Sequence, residues 1–469
     1  MVSCDRLVLR ACRRSPGPAL LVLALLAVGT FVCSGSEGQP QRSAARFMAA
    51  PAPDGTYIAW REHVVDGWAV AGEQILGADG LAWADLDGDG RRDVVAVHED
   101  SSHVRIVFGA RTRDELFRPG WSGTLTLGSG PLVGAAEDVS VADLDADGRL
   151  DVAIACEQGH VVVFFQNGLP RARRGWVPVI LQETIGRGSW IRVEAADLDG
   201  DGQQELLAVN KGRMEVSVFD AEPGRARKPE AWQEQVLWRT RTPINARAVD
   251  IDADGDLDVV AASRGERRIV WLRRDEQSWT EQLIYAGTDP ASEGFMMAFA
   301  DLDRDGQLDI VTEEDHGGRV FWLERTGNGW RFHLIGTIAP DHATGLALAD
   351  INGDGRLDLF VGGYSAGPRL REPQVIRPSD RCGRLAWFEQ PRTLQTEWKR
   401  HDVSRRRRGM FDMFVPVDLN ADGLVDFVTT RGNSGEFDGV VWLEQRRLPE
   451  QRAAFEAAHR RDSPEVPLP

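Results

Sequence analysis

Aspartate recurs in this chain at a spacing that suits a hard cation. Residues 85–93 read DLDGDGRRD, and the same nine-residue pattern starts again at Asp143, Asp197, Asp250, Asp301, Asp350 and Asp418. The first, third, fifth and ninth positions carry oxygen ligands. They are Asp85, Asp87, Asp89 and Asp93, then Asp143, Asp145, Asp147 and Asp151, then Asp197, Asp199, Asp201 and Glu205. The later loops supply Asp250, Asp252, Asp254 and Asp258, then Asp301, Asp303, Asp305 and Asp309. The last two carry one amide each, as Asp350, Asn352, Asp354 and Asp358, and as Asp418, Asn420, Asp422 and Asp426. Four like charges in one tight loop repel unless a cation lies between them, and calcium takes six to eight oxygens in flexible geometry. The seventh-position carbonyl adds one more, from Arg91, Arg149, Gln203, Asp256, Gln307, Arg356 or Leu424, and the invariant sixth-position glycine permits the sharp turn. Up to seven structural calcium ions are expected, with the two Asn-containing loops the weakest.

Net charge agrees with that capacity. The formal charge is −17, which argues against a nucleic-acid partner. Seven divalent ions would cancel much of it.

The elements that position these loops repeat with them. Successive loops start 58, 54, 53, 51, 49 and 68 residues apart, the period of an array or a propeller. Each follows a small and apolar run such as LAWA (81–84) and precedes a β-branched run such as DVVAV (93–97). A third run follows, as in RVFWLE (319–324) and VVWLE (440–444), and a fourth is led by Trp121, Trp176, Trp232, Trp279, Trp330 or Trp398. Four strands in some fifty residues make one propeller blade. No tryptophan follows Trp442, whereas YIAWREHVV (57–65) carries the Trp60-x-x-His63 signature of Trp330-x-x-His333 and Trp398-x-x-His401. The fold class is therefore all-β: a seven-bladed propeller of four-stranded blades, residues 51–446, closed by its N-terminal strand so that no blade edge stays open. Residues 447–469 are expected as an appended tail, helical or disordered.

Residues 1–36 read as a secretory signal: Arg6, Arg10, Arg13 and Arg14, then the apolar run PALLVLALLAVGTFVC (18–33), then small residues. The run is short for a membrane span, so the expectation is an exported chain, periplasmic, secreted or at the cell surface, and not an integral membrane protein after cleavage. Lipid anchoring at Cys33 is the alternative. Residues 37–50 are a linker. Only Cys156 and Cys382 lie clearly beyond the signal, in non-adjacent blades, which does not support a disulfide framework.

These loops resemble the FG-GAP or VCBS repeats of integrin α-subunit heads and of exported bacterial proteins. The likeness spans about residues 50–445, and the FG and GAP tripeptides themselves are not evident, so the bacterial VCBS type is the closer match. It implies a seven-bladed propeller with calcium between the first two strands of each blade. It raises the prior for a glycan or protein ligand without choosing one.

A ligand would then meet the face opposite the loops, in a chain expected to act as a monomer. TEEDHGG (312–318) places Glu313, Glu314, Asp315 and His316 there, together with Glu293, PDHATG (340–345) with Asp341 and His342, and Trp190. The insertion 362–383 and the run Arg405, Arg406, Arg407 and Arg408 would receive an anionic sugar. The leading expectation is a binding module for carbohydrate or a protein partner. One alternative is a polysaccharide or sugar lyase or dehydratase using His342, Glu313, His316 and Arg406; another is a structural subunit of a surface assembly. Repeated tryptophans and histidines of the fourth strands read as packing residues, and Glu194 with Arg247 as an ion pair near the central channel.

Overall fold

The computed structural model describes residues 46–166, 175–275, 278–287, 292–314, 317–327, 329–365 and 375–469. The signal segment 1–36 with Cys33, most of the 37–50 linker, Asp315, His316 and residues 366–374 of the long insertion lie outside the described residues, as does the side chain of Glu293.

Six sheets have four strands in simple up-and-down order. The first blade holds Ala78–Ala84, Asp93–His98, His103–Val107 and Thr124–Ser129. The second, third and fourth begin at Ala136–Ala142, Trp190–Ala196 and Pro243–Val249, and the fifth and sixth at Ser292–Ala300 and His342–Ala349. The seventh sheet is built from both ends of the chain. Phe414–Val417, Asp426–Arg431 and Gly439–Leu448 are followed in space by Tyr57–Gly67, paired antiparallel from Tyr57 opposite Leu448 to Gly67 opposite Gly439. The N-terminal strand therefore closes the ring.

Position in the blade explains composition. Inner strands crowd around the axis and are rich in alanine. Second strands such as Asp151–Cys156 and Asp258–Ser263 are buried at every residue, because neighbouring blades cover both of their faces. The apolar clusters each join adjacent blades. Val104, Phe108, Val139 and Phe164 pack between the first and second, and Val65, Leu81, Val94 and Trp442 between the seventh and first. The core is thus a ring of shared seams.

Two expectations are corrected. The first blade's fourth strand starts at Thr124, and Trp121 sits in the preceding turn with a left-handed φ of 38°. The tail contains no helix among its residues 449–469. Phe455–Glu456 pairs parallel with Tyr57–Gly67, Val466 is buried, and Asp462 Oδ1 accepts from Arg431 at 2.7 Å. Helix-forming alanines and glutamates in this segment yield to a surface that offers buried cations and an open strand edge.

Candidate metal loops and the central channel

In each blade the nine-residue loop joins the inner strand to the second, and its backbone is fixed by its own carboxylates. The sixth-position glycine N–H donates to the first aspartate in all seven, at 2.8 Å for Gly90 to Asp85 and 3.1 Å for Gly255 to Asp250. The seventh-position N–H donates to the fifth-position carboxylate, as Arg149 to Asp147 at 3.0 Å. The ninth-position carboxylate is the anchor between strands. Asp151 accepts from Leu144 N at 3.1 Å within the loop and from Gln166 N at 2.9 Å at the end of the third strand. The second-position side chain, buried at Leu86, Leu144, Leu198, Ile251, Leu302 and Ile351 and partly buried at Leu419, plugs each loop from below.

A second left-handed residue escaped sequence reasoning. The fourth position has positive φ in every loop: 67° at Gly88, 57° at Ala146, 76° at Gly200, 59° at Ala253, 64° at Arg304, 80° at Gly353 and 57° at Ala421. Alanine and arginine carry no sequence signal for that conformation. Turning the chain twice is what points successive carboxylates to one centre.

The donor set fits a cation. Ligand-capable oxygens of Asp85, Asp87 and Asp93, of Asp143, Asp145 and Asp151, of Asp250, Asp252 and Asp254, and of all four acidic residues of the third loop lie within 4.8 Å of one another. One buried oxygen each of Asp145, Asp252 and Glu205 receives no hydrogen bond among the described residues. An orphaned buried carboxylate oxygen is costly, and a hard cation is its natural partner. Burial, and then neighbouring loop aspartates, push the ninth-position carboxyls up to about 6 at Asp93 and Asp258 and to about 7 at Asp151, Glu205, Asp309, Asp358 and Asp426, against backbone donors that lower them. A divalent ion between the carboxylates would hold them ionised. Arginines already stand at some loops: Arg227 binds Asp145 and Asp147, and Arg273 lies 3.5 Å from Asp252. The third loop's carboxylates have no arginine partner among the described residues.

Residues read as ligand contacts on the opposite face have other roles. Arg405 is fully buried, paired with Asp341 at 2.8 Å, and donates to the carbonyls of Pro378, Asp380 and Pro467. Arg406 bonds the Ser463 carbonyl and faces Asp462 at 3.5 Å, and Arg408 donates to Ser434 O at 3.1 Å. These cations clamp the tail and the insertion to the ring, so the arginine run is not an open anion site. His342 and Glu313 are buried at 3% and 1% exposure and belong to different blades. Glu313 accepts from Met296 N at 2.9 Å. Glu314 pairs with Arg319, and Trp190 is buried with its indole N–H on Thr184 O at 3.2 Å.

The charged groups that do converge had no repeat to reveal them. Asp138, Arg192 and Asn245 occupy the place five residues before the first loop aspartate in three successive inner strands. With Ser140, Glu194 and Arg247 they line a cavity of about 200 Å³ on the propeller axis. Arg247 Nε lies 3.1 Å from Glu194 Oε2, the ion pair expected there, and Asp138 accepts from Val193 N at 3.1 Å. Arg192 lies over the Phe295 ring at 4.6 Å. Burial raises the carboxyls of Asp138 and Glu194 above their ordinary range, in part offset by Arg192 and Arg247 respectively. Nearby on that side, Glu99, Glu137 and Glu157 cluster, and burial together with Glu99 and Glu157 pushes Glu137 up to about 8.

The family model of the FG-GAP-like repeat matches residues 85–154, 143–208, 250–312 and 311–361. The chain belongs to the FG-GAP-like repeat family. Among curated relatives, this FG-GAP-like propeller is similar to cartilage acidic protein 1 of Mus musculus and of Homo sapiens, 24% identical to each over 267 residues. That alignment covers 50% of the chain but only 41% and 40% of those relatives. Similar solved structures include the N-terminal domain of BBS1 in complex with ARL6, TM-score 0.47 at 12% identity over 80% of this chain and 94% of that one. YCF48 bound to D1 peptide gives 0.47 at 10% identity over 84% and 97%, and an Agrocybe aegerita lectin specific for non-reducing terminal N-acetylglucosamine 0.41 at 16% over 79% and 90%. Among the described residues no helix is long and apolar enough to cross a membrane.

Proposed function

We propose that this chain is an exported, calcium-stabilised FG-GAP-like propeller that acts as a binding module for a carbohydrate or a protein partner. The observation that carries the reading is a division of labour between faces. One face commits its carboxylates to seven self-braced loops suited to structural cations, which stabilise the fold by their binding free energy. The other end of the channel gathers Asp138, Arg192 and Asn245, polar groups with fixed geometry and no repeat-imposed role.

The test uses the purified full chain. Calcium titration followed by calorimetry should show saturable binding and a melting temperature that falls with chelator. A glycan array and a pull-down should then recover a partner that is lost in Arg192→Gln with the fold intact. Calcium binding without any partner would leave a purely structural propeller; no calcium binding would remove the first half of the proposal.

A further inference from the structure

Away from the channel, a cleft of about 450 Å³ opens on the aspartate-loop side where the first and seventh blades meet. Its floor is aromatic: Trp83 from the first inner strand and Trp121 meet edge to face at 6.1 Å and 80°. Trp83 is half-buried, and Trp121 is buried at 7% exposure. Four exposed arginines, Arg91, Arg92, Arg111 and Arg113, stand around it, and Asp418 and Asn420 of the seventh loop form the far wall.

Three observations separate this cleft from an ordinary solvated surface. The first is the turn that builds it. Residues 108–123 are the longest described connection between third and fourth strands, and Trp121 within it adopts a left-handed φ of 38°. That conformation is costly for a bulky residue and persists only where the surroundings impose it. Here Gly120 N donates to Val65 O at 2.8 Å, which ties the turn to the strand that closes the ring. The second is charge. Arg92 and Arg113 make no side-chain hydrogen bond or ion pair among the described residues, while Arg91 pairs with Asp89 at 3.1 Å and Arg111 with Glu115 at 3.5 Å and with the Ser122 carbonyl at 3.2 Å. A surplus of guanidinium groups in a chain of formal charge −17 selects an anion. The third is size and shape. The volume is that of a small-ligand pocket, too small to seat a helix, and the accessible face of Trp83 offers a flat apolar platform for a sugar ring.

We propose that this cleft binds an acidic saccharide, a uronate- or sulfate-bearing oligosaccharide, with Trp83 as platform and Arg92 and Arg113 as the principal anion contacts. The site is separate from the channel, so losing one leaves the other in place.

The test is calorimetric titration of the full chain in calcium-containing buffer. The probes are tetragalacturonate, a sulfated disaccharide, neutral cellotetraose and octaglutamate. The expected result is saturable binding of an acidic saccharide, weakened at least roughly tenfold in Arg92→Gln/Arg113→Gln and weakened in Trp83→Leu. Arg192→Gln should bind it like the parent chain. Because Arg92 and Arg113 are exposed, their double variant should keep the parent melting temperature, which separates lost contact from lost fold. Absence of saturable binding, unchanged affinity in the arginine variant, or equal or tighter binding of octaglutamate would each overturn the assignment.

Discussion

His63 lies flat on Trp442, ring centroids 4.5 Å apart at 27°, and its Nε2 is 2.9 Å from Glu444 Oε2. The same trio recurs in the fifth blade as His333 on Trp322 with Glu324, and in the sixth as His401 on Trp387 with Glu389. In the seventh blade alone its members come from opposite ends of the chain, so the repeated packing unit also fastens the ring. His63→Ala removes a stacked pair and a partly buried hydrogen bond, a loss of about 2 kcal/mol. His333→Ala should cost a similar amount at equilibrium. Urea denaturation measures both. A negligible change at His63 would mean that closure rests on the strand ladder alone.

Calcium should fill the loops unequally. The third loop brings four carboxylates together with none of them paired to a guanidinium among the described residues, Arg274 donating only to the Asp199 main-chain carbonyl at 2.8 Å, whereas Arg227 sits on two carboxylates of the second. Asp199→Asn/Asp201→Asn is expected to remove the tightest phase of a calcium titration, and Arg227→Gln to strengthen binding at the second loop. Calcium at a hundredfold above its dissociation constant would add about 2.7 kcal/mol per site, and a chelator would take it away. An unchanged titration in the third-loop variant would assign the tight site elsewhere.

What the sequence made legible was whatever the fold repeats. Asp85 and its six counterparts set the blade count, and Trp60-x-x-His63 disclosed the closing strand because it copied Trp330-x-x-His333. The channel groups Asp138, Arg192 and Asn245 share a place in their blades but not a chemistry, so no periodicity exposed them. Arg405 and Arg406 read as a free cationic loop because their partners, Asp341, Asp462 and the Ser463 and Pro467 carbonyls, are distant in the chain. A charge run shows its sign locally and its occupancy only in three dimensions.

Fourth-position residues of the loops offer a stabilising substitution. A left-handed non-glycine residue costs roughly 1–2 kcal/mol, and glycine's extra freedom in the unfolded chain gives back about 0.5–1 kcal/mol. Arg304→Gly and Ala146→Gly, at φ 64° and 57°, should each therefore raise stability by about 0.5 kcal/mol. Arg304 also donates to Gly355 O at 2.7 Å, so Ala146→Gly is the cleaner measurement. Destabilisation by Ala146→Gly would contradict the strained geometry.

Acid should act on the fold through His98. It is fully buried with neither ring nitrogen hydrogen-bonded among the described residues, and burial first, then Arg105 and His103, push its value from the usual 6.5 down to about 3. The folded state keeps it neutral, so its contribution is intact above 6.5 and is lost as pH falls from there toward 3. At about pH 5 the loss approaches 2 kcal/mol. His98→Phe should flatten the difference in urea midpoint between pH 7 and about 5 relative to the parent chain. Parallel profiles for the two proteins would show that His98 does not carry it.

The tail gives the strongest single-residue prediction. Arg431, at 2% exposure, donates to Glu62 of the N-terminal strand at 2.8 Å and to Asp462 of the tail at 2.7 Å, and the surrounding carboxylates keep its guanidinium firmly charged. One cation thus joins the last blade to both ends of the chain. Breaking a buried pair from one side leaves the other charge uncompensated, at about 3–5 kcal/mol. Glu62 remains as a partner, so Asp462→Ala should cost toward the lower end, about 3 kcal/mol. Arg431→Met, which strands Glu62 and leaves Asp462 only Arg406 at 3.5 Å, should cost at least as much. A double variant Arg431→Met/Asp462→Ala that recovers stability relative to Arg431→Met would identify the stranded carboxylate as the source of the loss; additive losses would show that packing of the tail, not the charge, holds it to the ring.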